Sequence, residues 1–471
     1  FVNMSADPDN EYFADGMSEE IRNLLSQIPE LKVIGRTSSF AYRDQDIDLR
    51  TIGQRLNVNT VIEGSVRKSG DRVRITADLV DVSDESRLWS ETYDRTMTDI
   101  FEIQDEVAAA IIDALQIHVG AAPSRGQPTG NTEAYALFLR AKVAVNNFEP
   151  GVAENLLKEA VRLDPNFAEA WEMLASVYWL APEGITVVEA QRLMGDSAAR
   201  AIAIDPGLQL AQTYYTVATP GPYIRWRTLE AYERAAQERP DDLFIMEGLI
   251  FLLTEFGYLR DALELSRRYV ELDPLSAVAH MHLPITLHAA GRKEEAVAAL
   301  EFENQSDWDP QMYRWTILGL NLLSDQETAI ARVEAYLQRQ GHPNPGRFRE
   351  LVINGQDPAT GQAYLDRHIA EFVDAMTEVD GFAWQRGLSS LYLYFGHIDR
   401  YFELGLATNI SATNWDDAGA HLWRAAVFHA LGTTAHPDYL ELAEETGVFE
   451  LWDRRGPPDF CEKVDQQWVC E

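Results

Sequence analysis

The sequence predicts an N-terminal α/β domain, with a mixed sheet and flanking helices, followed by an all-α solenoid of helix pairs. Apolar and polar residues alternate over 58–82, which predicts paired strands. Further along, helix-like segments end repeatedly at an Asp-Pro or Arg-Pro step, and their prolines lie 41, 34, 34 and 36 residues apart. A recurrence near 34 residues is typical of a helix–turn–helix repeat. The five steps are Asp164-Pro165, Asp205-Pro206, Arg239-Pro240, Asp273-Pro274 and Asp309-Pro310.

The chain of 471 residues is too long for a single core and strongly acidic, with 75 Asp and Glu against 40 Lys and Arg and a net charge of −35. Such a surface repels phosphate backbones, so we expect no direct binding of nucleic acid. The acidity indicates either solubility in a salty medium or a preference for basic partners. No apolar run reaches the roughly 18–20 residues that span a bilayer. Since the chain opens at Phe1 without an initiator Met, we interpret it as a fragment or a processed product.

The elements of the first 120 residues follow from local patterns. A helix is expected to begin at Ser18, whose hydroxyl can cap it, with Glu19 and Glu20 in its first turn. A short strand over Leu31–Gly35 should follow. The remaining predictions are a helix at 48–56, two strands within 58–82 joined by a turn at 68–71, a strand at 88–93 and a helix at 99–118.

Five blocks within this region resemble one domain family. They are YFADGMSEE at 12–20, VIGRTSSF at 33–40, VIEGSVR at 61–67, LWSETYDR at 88–95 and DIFEIQDE at 99–106. In this order they resemble the TolB-amino-terminal-like domain, which precedes tetratricopeptide repeats in bacterial membrane signalling proteins. Its relatives include membrane-bound adenylate/guanylate cyclases and CadC-like winged-helix regulators. The resemblance implies that the chain is the extracytoplasmic part of such a receptor and that its first strand is incomplete.

The repeats themselves resemble the tetratricopeptide family. Trp171, Leu174, Ala175 and Tyr178 follow the W-x2-L-[GA]-x2-Y spacing of a first repeat helix. The next unit is degenerate, because Pro220-Gly221-Pro222 interrupts its hairpin. Two later units keep a glycine at the turn between helices and an alanine five residues further on, which lets the two helices pack closely. These residues are Gly257 with Ala262 and Gly291 with Ala296.

The predicted organisation has five parts. They are a TolB-like α/β domain at 1–119, a Gly- and Pro-rich linker at 120–131, about five tetratricopeptide helix pairs at 132–310, diverged helical repeats at 311–447 and a C-terminal cap at 448–471. The only two cysteines, Cys461 and Cys470, lie in that cap. They predict a local disulfide, which persists only in an oxidising compartment and therefore favours the periplasm or cell exterior.

No active-site pattern is present in the sequence. It contains no GxxxxGK, no GxGxxG after a strand, no HExxH and no GxSxG. We therefore expect no catalytic residue, no metal site and no cofactor in this chain.

What remains is a binding surface, because stacked helix pairs present their first helices on one concave face. An acidic groove with apolar anchors would suit a protein or peptide segment that carries Lys or Arg. The alternative for each aromatic member is packing against the next repeat. The candidate groove residues are Glu172, Ser176, Trp179, Glu247, Phe251, Thr254, Met281, Ile285 and His288.

Four functions are compatible with this sequence. The first is a non-catalytic sensory or scaffold module of a bacterial extracytoplasmic signalling protein, attached to the membrane only through an upstream anchor. The second is the regulatory half of a membrane-bound nucleotide cyclase. The third is the sensor half of a membrane-anchored DNA-binding regulator, and the fourth is a stand-alone periplasmic or secreted scaffold. The oligomeric state is left open by the sequence.

Overall fold

The computed structural model divides the chain into two compact units. Unit 1 contains Phe1–Pro220, Arg227–Gly248 and Glu271–Leu275, and unit 2 contains Gly221–Trp226, Leu249–Val270 and Ser276–Glu471. The structure describes residues 1–7, 10–28, 30–43, 45, 47–116, 128–147, 149–179, 185–219, 224–305, 326–339, 344–374, 391–392, 395–400, 403, 437–445, 448–465 and 467–470.

Unit 1 begins with a four-stranded mixed sheet, as predicted. Its strands are β1 (Val2–Asn3), β2 (Thr60–Ser69), β3 (Arg72–Asp81) and β4 (Arg87–Thr96), in the order β1-β2-β3-β4. The β1–β2 pair is parallel, whereas β2–β3 and β3–β4 are antiparallel. The β2–β3 hairpin turns at Gly70, whose φ of +58° lies in the left-handed region that glycine tolerates.

Four helices accompany the sheet. They are α1 (Glu11–Leu25), α2 (Arg36–Phe40), α3 (Leu49–Leu56) and α4 (Ile100–Ala114). Helices α1 and α4 pack on the sheet and on each other around apolar side chains that alternate along β3. The structure has α3 within the predicted range 48–56, and Asp48 caps it, because its carboxylate accepts a hydrogen bond from the Thr51 N–H at 2.8 Å.

Two predictions in this region are wrong. Ser18 does not begin a helix but lies inside α1, where its hydroxyl donates to the Ala14 carbonyl. Buried Phe13 and Met17 extend the apolar face of α1 toward its N-terminus, so tertiary packing overrides the capping signal. The segment Leu31–Gly35 forms no strand, and the Gly35 N–H donates instead to the Leu272 carbonyl.

The rest of the described chain is mostly helical. In unit 1 α5 packs against α6, α7 against α8, and α8 against α9, while in unit 2 α13 packs against α14 and α16 against α17. The helices are α5 (Thr132–Asn146), α6 (Pro150–Leu163), α7 (Ala168–Trp179), α8 (Val187–Ile204), α9 (Gln209–Ala218), α10 (Ile224–Glu238), α11 (Leu243–Phe256), α12 (Leu259–Leu272), α13 (Ala277–Ala289), α14 (Lys293–Gln305), α15 (Gln326–Arg339), α16 (Arg347–Gly355), α17 (Gly361–Asp374), α18 (Pro437–Glu445) and α19 (Val448–Arg455).

The proline spacing sets where first helices begin. Helices α7, α9, α11 and α13 each start three residues after a proline of the predicted series. Gly257 and Gly291 have φ of +84° and +73° at the turns after α11 and α13, as expected for residues that end a helix. Ala262 and Ala296 are fully buried. The proline spacing thus agrees with the observed helix starts, whereas the five helix pairs at 132–310 stay a prediction, and most of the predicted stretch 311–447 lies outside the described residues.

One hydrophobic core joins the sheet domain to the first helix pairs. The rings of Phe101 on α4 and Tyr135 on α5 lie 4.6 Å apart, and the Gln104 amide donates to the Tyr135 hydroxyl at 2.9 Å. The Lys142 ammonium donates to the almost fully buried Glu20 carboxylate at 2.6 Å. The domain boundary at 120–131 stays a prediction, since residues 117–127 are not among those described.

The C-terminal segment forms a small hairpin within unit 2. Strands β5 (Cys461–Val464) and β6 (Gln467–Cys470) are antiparallel and place Cys461 directly opposite Cys470, with the two sulfurs 1.94 Å apart. This register fits the predicted disulfide, whose formation in the cell stays a prediction.

The hairpin is attached to the turn before α12, about 200 residues earlier in the chain. The Asp459 carboxylate accepts from the Arg260 N–H at 2.8 Å, and the Tyr258 hydroxyl donates to the Gly456 carbonyl at 2.8 Å. The Arg455 guanidinium lies 3.9 Å from the centre of the Tyr258 ring. The C-terminal segment is therefore bonded to an internal turn of the helix array.

Candidate functional site

The candidate groove residues of unit 1 lie on first helices at equivalent positions. Glu172, Ser176 and Trp179 stand 7, 11 and 14 residues after Pro165, which places them on one side of α7. The opposite side of α7 is buried through residues such as Leu174 and Tyr178. All three candidates are half-buried. The Ser176 hydroxyl donates to the Met173 carbonyl of its own helix at 2.7 Å.

Glu172 has a structural role that its sequence position did not indicate. Its carboxylate accepts a hydrogen bond from the Ala211 N–H at 3.0 Å, at the third residue of α9. Helix α9 needs this acceptor because the residue before it, Leu208, has no side-chain oxygen that could cap the helix. The first helix of one repeat thus caps the first helix of the next.

The surroundings of Glu172 also change its acidity. Burial raises the pKa of its carboxyl from an ordinary 4.5 to about 7, although Arg239 and the Ala211 hydrogen bond act in the opposite direction. Nearby Tyr214 is buried, and burial raises the pKa of its phenol well above the usual value, with Tyr232 and Glu172 adding to the shift. Glu172 is therefore a poorly solvated carboxyl group that is partly protonated at neutral pH.

The substitution Glu172→Gln should reveal this acidity in the pH dependence of stability. A carboxyl whose folded pKa exceeds its unfolded pKa favours folding below pH 4.5 and loses that contribution as the pH rises to about 7. The glutamine carbonyl can still accept from Ala211. We expect Glu172→Gln to be more stable than the parent at pH 8, by on the order of 1–3 kcal/mol, with the difference vanishing near pH 4.5. Urea unfolding across this range measures it.

Glu172→Ala is the matched control for that substitution. It removes the same charge but also the acceptor for the Ala211 N–H, which costs about 1 kcal/mol for a lost cap. It should therefore be less stable than Glu172→Gln at every pH. Parallel pH profiles for the parent and Glu172→Gln would contradict the raised pKa.

Beyond α9, the unit 1 side of the predicted groove includes the start of α11. Glu247 is half-buried, and the neighbouring Phe244 is 39% exposed. The Phe244 ring lies 6.3 Å from that of Tyr214. The adjacent position must be glycine, since a Cβ at Gly248 would lie 2.3 Å from the Tyr232 ring. An exposed aromatic and an acidic side chain therefore lie three residues apart on α11.

The unit 2 candidates are more deeply buried. Met281, Thr254 and His288 are buried, whereas Phe251 and Ile285 are half-buried. Thr254 lies among other buried hydroxyls, 3.4 Å from Thr286, whose hydroxyl is 3.1 Å from that of Ser266. Burial, together with the charge of Lys293, lowers the pKa of the His288 imidazole. Whether any of the nine candidates contacts a partner stays a prediction.

Sequence reasoning missed several residues of this region. Tyr214 and Phe244 lie beside the predicted positions, and Arg239 belongs to the Arg-Pro step that served only as a period marker. The role of Glu172 as a cap could have been suspected from Leu208. This apolar residue stands at the position before α9 where a side-chain oxygen usually caps the helix.

The described residues offer no obvious metal chemistry. No group of three or more His, Cys, Asp or Glu side chains among them is arranged to hold a metal ion. Within the same residues, no helix combines the length and apolarity needed to cross a bilayer.

No protein-family model matches the chain, whereas comparison by sequence finds similarity to a curated protein. Over 185 residues the chain is 40% identical to "Putative adenylate cyclase 3" of Rhizobium meliloti (strain 1021). The match covers 38% of this chain and 31% of that protein. The chain thus corresponds to under a third of the relative's length.

Two solved structures are also similar. One is YrrB, described as a TPR protein with an unusual peptide-binding site, at 18% identity and a TM-score of 0.25 over 42% of this chain and 91% of that one. The other is the APC/C hetero-tetramer Cut9–Hcn1, at 13% identity and a TM-score of 0.27 over 74% and 84%. Scores this low do not establish a common fold, so the helix-pair architecture of this chain stands on its own structure.

Proposed function

We propose that this chain is a non-catalytic binding module that holds a protein or peptide segment against its first helices. The observation that carries the proposal is the regular start of α7, α9, α11 and α13, each three residues after a proline. Helix pairs repeated with such a period, as in the tetratricopeptide family that the sequence resembles, bind extended segments on their first-helix face.

The side chains of exposed Phe244 and half-buried Glu247 favour a basic segment with an apolar anchor. Phe244 offers an exposed ring, and Glu247 adds a carboxylate three residues away on α11. The net charge of −35 attracts cationic segments at long range. Glu172 contributes less than its sequence position predicted, because its carboxylate is already used by Ala211.

Two labelled peptides of about 12 residues test this binding, one rich in Lys and Arg with two leucines and one in which every basic residue is Glu. Fluorescence anisotropy should detect the basic peptide only, with an affinity that falls as salt rises from 50 to 300 mM because exposed charges are screened. Glu247→Lys and Phe244→Ala should each weaken it about tenfold or more.

The control is Asp196→Lys, which makes the same change of charge at an exposed position on the second helix α8. It should leave the affinity within about twofold, since an exposed charge remote from the contact acts only weakly. Equal weakening by Asp196→Lys and Glu247→Lys would mean that net charge, and not the first-helix face, attracts the peptide. Absence of binding by both peptides would remove the basic-segment proposal.

The setting that we propose is the extracytoplasmic side of a bacterial membrane, in a sensory protein with a TolB-like domain. The five sequence blocks within residues 12–106 and the opposed pair Cys461 and Cys470 support it. Thiol titration of denatured protein isolated without reductant from its native compartment is the test. Two reactive sulfhydryls would count against an oxidising compartment.

A second candidate is the regulatory half of a nucleotide cyclase, which the named relative supports through 40% identity over 185 residues. The coding sequence upstream of Phe1 separates the candidates. A cyclase domain supports the second candidate, a winged helix supports a DNA-binding regulator, and a signal peptide alone supports a stand-alone scaffold. If a cyclase domain is present, deleting this chain should change cyclic nucleotide synthesis from ATP or GTP.

A further inference from the structure

Two Asp-Pro turns of the array satisfy their own backbone. The Asp164 carboxylate accepts from the Asn166 N–H at 3.0 Å, and the Asp205 carboxylate accepts from the Gly207 N–H at 2.8 Å. In both turns the donor lies two residues after the aspartate, which is the local Asx-turn bond. An Asp-Pro turn of this array therefore needs no other part of the chain to satisfy that amide.

In the Asp273 turn, between α12 and α13, the equivalent N–H donates to a residue far along the chain and not to the aspartate of its own turn. The Leu275 N–H donates to the Ser38 hydroxyl oxygen at 2.8 Å. The Asp273 carboxylate accepts instead from the Ser38 N–H at 2.7 Å and from the Ser38 hydroxyl at 2.5 Å. A fourth bond runs from the Gly35 N–H to the Leu272 carbonyl at 2.6 Å. Ser38 is thus inserted into a turn 235 residues away.

This contact is buried and closely fitted. Ser38 and Asp273 are 0% and 3% exposed, so the carboxylate exchanges water for charge-assisted hydrogen bonds. A Cβ at Gly35 would lie 2.5 Å from the Asp273 side chain, so only glycine permits the approach. The contact also caps α2. Gly35, the residue before this helix, has no side chain that could cap it, and the Asp273 carboxylate accepts from the N–H of Ser38, the third residue of α2.

We propose that Ser38 and Asp273 form a reversible latch between the N-terminal sheet domain and the turn before α13. When the latch opens, Asp273 can accept from its own Leu275 N–H, as Asp164 and Asp205 do in their turns. The Gly35 and Ser38 amides then bond to water. Because the turn is satisfied in both states, opening requires no unfolding of the α1–α5 core. The latch does not depend on the proposed binding function.

Gly35→Ala is the variant that should open the latch selectively. The backbone at Gly35 (φ −63°, ψ 161°) accepts alanine without strain, so the substitution acts through its clash with Asp273. Hydrogen exchange of the full chain, resolved to single residues, should show the amide of Ser38 exchanging on the order of tenfold faster or more, whereas the Leu275 amide should stay protected because Asp273 can accept from it. The amides of α1 and α5 should keep their protection. Gly130→Ala is the control, since nothing lies within 4 Å of a Cβ there.

Ser38→Ala and Asp273→Ala test the second state of the turn. In Ser38→Ala the Leu275 amide should stay protected, because Asp273 can accept from it, whereas in Asp273→Ala that amide should exchange faster. Equal exchange of the Leu275 amide in these two variants would overturn the latch. The latch would also be overturned if the Ser38 amide exchanged at an unchanged rate in Gly35→Ala. Equally faster exchange of the α1 and α5 amides in that variant would overturn it as well, because the contact would then be an inseparable part of the core.

Discussion

Replacing Tyr135 with alanine is expected to lower the free energy of unfolding of unit 1 by about 3–5 kcal/mol, the usual cost of deleting a buried aromatic ring. Tyr135 is fully buried between Phe101, whose ring centre is 4.6 Å away, and Phe138, at 6.3 Å. The deletion also removes the hydroxyl that accepts from Gln104, so a buried amide loses its bond. Urea denaturation followed by circular dichroism measures the loss.

Two further variants separate the parts of this effect. Tyr135→Phe keeps the ring and should cost about 1–2 kcal/mol for the hydroxyl alone. Tyr215→Ala removes a ring that is 49% exposed and should cost much less than Tyr135→Ala. Tyr135 belongs to the core shared by the sheet domain and the first helix pairs. In Tyr135→Ala, the sheet domain and these helix pairs should therefore lose stability together. A sheet domain that keeps its full stability in Tyr135→Ala would contradict a shared core.

Replacing Trp452 with alanine is expected to release the C-terminal segment from unit 2. Trp452 is buried and lies 5.1 Å from Trp468 and 5.3 Å from Phe449, measured between ring centres. Its loss should cost about 3–5 kcal/mol locally. We expect faster hydrogen exchange throughout 448–470 and also at 257–261, because the Gly257 and Tyr258 turn would lose its contacts with the segment.

Val464→Ala is a suitable control for this substitution, since the valine is 44% exposed on β5 of the same hairpin. It should leave exchange at 257–261 unchanged. If Trp452→Ala accelerates exchange in the hairpin but not at 257–261, the contact between the C-terminal segment and that turn carries little stability. The attachment described for Asp459 and Arg260 would then be incidental.

The regular parts of this fold could be predicted because their signals are local. Alternation over 58–82 set β2 and β3, and the spacing of the prolines set where four first helices begin. The same reasoning was wrong at Ser18, where a capping residue lies inside a helix. A capping signal concerns one turn, whereas the length of α1 depends on apolar side chains that pack against distant elements.

The candidate site was less predictable for a related reason. Counting from Pro165 placed Glu172 on the first-helix face, but its role depends on Leu208, in the next repeat. Ser38 and Asp273 stand 235 residues apart, and no periodicity connects them. Met281 has the right spacing for the groove but is fully buried. Spacing determines the side of a helix, whereas exposure is decided by neighbours remote in sequence.

Within the described part of the chain, α9, α2 and α12 each take a capping acceptor near their first turn from a residue far along the chain. Glu172 serves α9, Asp273 serves α2, and Asp459 serves α12. The consequence concerns modularity, because repeats of this kind are often treated as interchangeable building blocks. Helix α9 could not be transplanted into another array, or excised as a peptide, without losing this cap. Such a graft would need a Ser or Asp at position 208 to become self-sufficient.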